Sequence, residues 1–133
     1  MANEPGRFSP IVELRQYDLN PGTRETLIDV FDTHFVEGQE REGMAIIGHF
    51  RDLDNPDSFV WLRGFEDMDT RRNALTAFYS GPVWMAQRDA ANATMVRFDN
   101  VLLLRPAWPG GEFALDLSAR PAVGAGHDRS GIP

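Results

Sequence analysis

A chain of 133 residues, 42% hydrophobic and 25% charged, is sized for one soluble domain around a single core. Its formal net charge of −7 argues against a nucleic-acid partner, and the lack of cysteine excludes disulfides, thiolate nucleophiles and thiolate-held metals. No apolar run approaches the roughly 18 residues of a membrane span, and the opening MANEPGRFSP lacks the apolar stretch of a secretory signal. The expectation is a cytoplasmic protein with no membrane partner.

Residues 1–9 read as a polar lead. Ile11 to Leu19 then alternates like a strand, with Glu13, Arg15 and Tyr17 on a polar-tolerant face and Val12 and Leu14 on a more apolar one. Asn20-Pro21-Gly22 is strong turn chemistry. Thr23 is placed to cap a helix, and Glu25 in its first turn suits the helix dipole. The helix is expected to reach about Glu42, with Gly43 just past its end. Its inward stripe is Leu27, Val30, Phe31, His34, Phe35 and Gly38.

Met44 to Leu53 and Ser58 to Phe65 read as two strands joined by the loop Asp54-Asn55-Pro56-Asp57. Pairing Leu53 with Ser58 puts Ile46, Gly48, Phe50, Trp61, Arg63 and Phe65 on one face, with Gly48 opposite Arg63. Ile47, His49, Arg51, Val60 and Leu62 take the other, and a one-residue slip would exchange the faces. Asp67 or Asp69 can cap a second helix that breaks near Ser80-Gly81. Pro82 opens a third helical piece running to about Thr94, with Trp84, Arg88, Ala91, Asn92 and Met95 on its stripe. Asn100 to Leu104 is the last strand.

The order β-α-β-β-α-β is the ferredoxin-like pattern, an α+β fold with a four-stranded antiparallel sheet over residues 10–106. Beyond it, residues 107–133 read as a Gly/Pro-rich tail or arm, in which only Glu112 to Leu117 alternates like a strand. Helices covering one side of such a sheet leave the other face open, and an apolar open face would be buried by pairing two copies.

The opening Glu13-Leu14-Arg15-x-Tyr17-x-Leu19-x-Pro21-Gly22 resembles that of the NIPSNAP family. So do the strand Trp61-x-Arg63-x-Phe65, the Arg71-Arg72 helix start and the closure Phe78-Tyr79-x-x-Pro82-x-Trp84. The resemblance implies a homodimeric α/β barrel in which two ferredoxin-like units pair their sheets face to face. It also implies a superfamily that includes cofactor-independent monooxygenases, haem-handling proteins, dehydratases and cyclases.

No Ser nucleophile elbow, Walker loop, dinucleotide fingerprint or metal-spaced cluster occurs, so no metal or cofactor is called for. His34, between two phenylalanines on the inward stripe, is the candidate general acid–base, set against a hydrogen-bonded core histidine. Arg63 could hold a ligand's anionic oxygen, or pair with Glu13 or with a carboxylate across the dimer. Arg88 and Asn92 share a stripe with Trp84 and suggest a polar pocket. Arg15, Tyr17, His49 and Trp61 complete the ligand-binding candidates, whereas Arg71 and Arg72 read as a solvated charge network. Haem held axially by His34 or His49 is a weaker option. Two functions follow: an acid–base enzyme for a small hydrophobic or aromatic substrate, or a non-catalytic ligand-binding or interaction module. Convergence of His34, Arg63, Arg88 and Asn92 on one cavity would favour the enzyme.

Overall fold

The computed structural model describes residues 9–108. Strand β1 (Ile11–Leu19) leads through the Asn20–Gly22 turn into a long helix. Its parts are α1 (Arg24–Val30), a wider π-helical segment (Phe31–Phe35) and α2 (Val36–Glu40). The hairpin β2 (Ala45–Arg51) and β3 (Ser58–Phe65) follows, then α3 (Met68–Tyr79), α4 (Pro82–Asn92) and β4 (Met95–Leu104). The sheet is antiparallel in the order β2-β3-β1-β4, so the first and third strands lie at its centre. The expected α+β, ferredoxin-like fold is the one observed. The strand proposed at Glu112 to Leu117, with most of the tail, lies outside the described residues.

Local chemistry accounts for the boundaries. Asp67 caps α3 by accepting the Thr70 backbone N–H at 2.7 Å, and Pro82 opens α4 after Gly81. Gly43 follows the long helix with φ +95°, a conformation that side-chain-bearing residues seldom adopt. Thr23 stands at the expected cap position but does not cap with its hydroxyl. That group donates instead to the carbonyls of Asn20 and Thr94, at 2.7 and 3.2 Å. Arg24 donates one Nη to the carbonyls of Asp52, Asn55 and Ser58, clamping the hairpin loop to the helix start.

Alternation along β1 and β3 sorts the sheet into two faces. Ile11, Tyr17, Leu19, Phe59, Trp61 and Phe65 pack against Leu27, Phe31, Phe35, Ala74, Phe78 and Ala91 of the helices. Glu13 and Arg63 lie on this covered face too, almost fully buried. The face of β1 expected to tolerate solvent is thus the inner one. The outer face carries a continuous apolar row: Leu62 pairs with Leu14, and Leu14 with Leu102. Phe50, Val60 and Leu104 extend it, and Phe50, Leu102 and Leu104 are exposed.

The hairpin register differs from the expected one. Near the loop, Arg51 pairs with Phe59 and Phe50 with Val60. Between Ile46 and Gly48 the register shifts, and Ile46 pairs with Arg63. This bulge keeps Ile46 on the Arg63 face but turns Gly48 and Phe50 outward and His49 and Arg51 toward the helices. Gly48 therefore lies opposite Leu62 rather than Arg63. The space it leaves goes to Phe50: a Cβ at Gly48 would come within 2.8 Å of that ring. Polar contacts to the helix confirm the facing, since Arg51 donates to Glu25 at 2.8 Å and His49 Nε2 lies 2.8 Å from Asp32 Oδ1.

Candidate ligand site

Two connected features occupy the space between sheet and helices. The inner one is an arginine cluster around Glu13. This carboxylate has no solvent exposure and accepts from Arg15 Nη1 at 2.6 Å, Arg63 Nε at 2.8 Å and Arg71 Nε at 2.7 Å. Burial pushes the Glu13 carboxyl up, but the Arg63 and Arg15 charges and the hydrogen bonds from Arg63 and Arg71 outweigh it. Its pKa lies below the ordinary carboxylate value of 4.5. Arg63 also donates from Nη1 to Gln39 Oε1 at 2.6 Å and to the Tyr79 hydroxyl at 3.1 Å, and lies 4.8 Å from the Trp61 ring centre. The pairing of Arg63 with Glu13, one of the two roles read from sequence, is the one realised. Arg71 does not join the solvated network expected of it. Arg72 does, with Asp69 at 3.2 Å.

The outer feature is a cavity of about 270 Å³, somewhat below the usual range for small-molecule pockets of roughly 300–1,000 Å³. Eight of the twelve described residues that line it are aromatic, which suits an apolar or aromatic body. Tyr17 and Trp61 form part of the sheet wall, with Phe31 and Phe35 of the π-helical segment, and Tyr79 and Trp84 of the α3–α4 corner, across from them. The polar lining is sparse: Arg15, Gln39, Asn92 and the two tyrosine hydroxyls. Burial pushes the Tyr17 phenol above its ordinary value against the lowering pull of Arg15, so it stays protonated at neutral pH. Its oxygen accepts from Arg15 Nε at 3.2 Å.

Of the residues singled out from sequence, Arg15, Tyr17, Trp61, Trp84 and Asn92 line this cavity, and Arg63 lies behind its wall. His34, Arg88 and His49 do not line it. His34 is half-buried, and the π-helical segment gives the reason. An i→i+5 turn advances less per residue, so successive inward positions fall four apart at Phe31, Phe35 and Gln39, and His34 drops off that line. His49 pairs with Asp32 beside the Phe31 ring, and Arg88 is half-exposed, 3.8 Å from Asp89. His34, Arg63, Arg88 and Asn92 therefore do not meet. No histidine among the described residues lines the cavity. Among the described residues no cluster of three or more metal-ligating side chains occurs.

Two polar lining residues, Gln39 and Tyr79, lie outside the candidates read from sequence. Gln39 sits one residue beyond Gly38, the last position of the expected stripe, and only the π-helical shift brings it inward. Tyr79 had a visible signal: it follows Phe78 at the end of a helix, ahead of the Gly81-Pro82 break and Trp84.

The NIPSNAP family model matches residues 12–108. No curated protein sequence matches the chain. Among solved structures, an uncharacterised NIPSNAP-like domain protein from Burkholderia xenovorans is 28% identical with a TM-score of 0.65, covering 72% of this chain and 84% of that one. A NIPSNAP family protein of unknown function from Agrobacterium tumefaciens is 18% identical with a TM-score of 0.66, covering 72% and 86%. A protein from Nitrosomonas europaea, named for the antibiotic biosynthesis monooxygenases, shares the fold at 15% identity and a TM-score of 0.61, covering 77% and 96%.

Proposed function

The chain belongs to the NIPSNAP family, and we propose that it binds a small, largely apolar or aromatic molecule in the cavity between sheet and helices, as a homodimer. The aromatic lining carries the binding half of this reading: eight rings around about 270 Å³, with few polar groups, suit a small ring system. The dimer half rests on the outer row Leu62–Leu14–Leu102 with exposed Phe50 and Leu104, an apolar face that a second sheet would bury. No helix among the described residues is long and apolar enough to cross a membrane.

Acid–base catalysis is a second reading, in which Tyr17 on the cavity wall would supply the proton, although burial pushes its pKa further from neutrality and weakens it as an acid. A base is harder to find. Among the described residues no carboxylate or imidazole lines the cavity, and Glu13 is held ionised by three arginines behind it. The binding reading therefore comes first. Calorimetric titration with a neutral aromatic probe, 2-naphthamide, tests it. Saturable binding at one site per chain, lost on filling the cavity with Met95→Trp, is expected. Absence of saturable binding to the native protein would end the reading.

A further inference from the structure

Building on the cavity as a ligand site, we propose that its ligand is a small aromatic carboxylate, whose anionic end is received by Arg15, the Tyr17 hydroxyl and the indole N–H of Trp61. Three observations meet here. The first is a charge count. Among the described residues, Arg15, Arg63 and Arg71 share the single carboxylate of Glu13, so three positive groups and one negative group leave a local excess of +2. Arg71 is partly exposed and shares its charge with solvent, but Arg63 is buried and Arg15 nearly so, and an anion at the cavity wall would relieve the excess these two leave.

The second is the indole nitrogen of Trp61. It is buried and has no hydrogen-bond partner, the one such side-chain atom among the described residues. Trp61 lines the cavity and packs against Arg15, whose guanidinium carbon lies 5.5 Å from its ring centre. A carboxylate oxygen, acceptor only, is the complement an orphaned donor needs.

The third is spare donor capacity. Arg15 uses Nη1 for Glu13 and Nε for Tyr17, and no described residue accepts from its Nη2. The Tyr17 hydroxyl accepts from Arg15, so its own proton remains to be donated. A planar guanidinium with free donors beside a phenol suits a planar carboxylate better than a multiply charged phosphate, for which so apolar a wall has too few donors. The chain's net charge of −7 opposes anions at long range, but screening over about 8 Å at physiological salt leaves the local excess decisive inside the cavity.

The test compares 2-naphthoate with its neutral near-isostere 2-naphthamide on the native protein at neutral pH. The carboxylate is expected to bind at least about tenfold more tightly, the scale of one charge-assisted contact. In a ¹H–¹⁵N spectrum the indole resonance of Trp61, identified by its loss in Trp61→Phe, should move with 2-naphthoate far more than with 2-naphthamide. In Arg15→Gln the affinity ratio should fall to about one. Equal or tighter binding of the amide, or an unmoved Trp61 resonance at saturation, would overturn the carboxylate assignment while leaving the cavity reading intact. Failure of both probes to bind would remove the cavity reading, and this proposal with it. The affinity ratio is read on the native chain and needs no variant to fold.

Discussion

The two faces of one sheet each depart from the usual arrangement, one by burying charge within an aromatic core and the other by leaving leucines uncovered. The face covered by helices holds Glu13, Arg15 and Arg63 among aromatic rings, while the uncovered face presents Leu14, Leu62, Leu102 and Phe50. Buried charge inside an apolar core, with an apolar row left uncovered outside, is an expensive layout for an isolated domain. It becomes economical when the inner face serves a ligand and the outer face a second sheet.

Breaking the inner network should give the largest effect. Glu13→Gln removes the one carboxylate shared by three arginines and should destabilise the protein by about 3–5 kcal/mol, measured by chemical denaturation. A loss below about 1 kcal/mol would mean the cluster is not held together by that charge. The same residue sets an acid limb. Because the folded pKa of Glu13 is depressed, the unfolded chain binds more protons as pH falls below about 4.5. The stability it contributes is present above that pH and drains away as pH drops toward the folded value. Denaturation midpoints against pH should therefore fall less steeply below that point in Glu13→Gln than in the native chain, and parallel slopes would refute the assignment.

The outer face is probed by Leu102→Asp. Leu102 is exposed in the single chain, so folding should change little. The proposed homodimer should weaken roughly 10- to 100-fold, the scale of one buried leucine lost from an interface, as read by sedimentation equilibrium. The smallest effect is expected at His34. It neither lines the cavity nor makes a hydrogen bond to a described residue, so His34→Ala should shift stability by no more than about 0.5 kcal/mol and leave 2-naphthamide affinity unchanged. A large loss of affinity there would restore the role read from sequence.

The contrast also marks what the chain discloses before folding. Strands β1 and β3 were legible to the residue, since alternation and flanking turn residues delimit both. The last strand was recognised only from Asn100, because its first half, Met95 to Asp99, mixes charged and apolar residues on a half-exposed edge. The β2 register was not legible: a bulge at Ile46–Gly48 depends on how Phe50 folds over Gly48, and no local pattern encodes it. Among the candidate residues, Arg15, Tyr17, Trp61, Trp84 and Asn92 line the cavity. A regular helical period puts His34 on the inward stripe and leaves Gln39 off it, whereas the chain makes a π-helical turn there. The pairing of Arg63 was foreseeable, since a buried arginine among aromatics demands a carboxylate and Glu13 stands on the neighbouring strand.

A native mass spectrum of the full chain in the presence of 2-naphthoate tests both faces at once. The account predicts a dimer carrying one ligand per chain, lost on denaturation. A monomer would contradict the reading of the outer face, and a dimer that stays bare at saturating ligand would contradict the reading of the inner one.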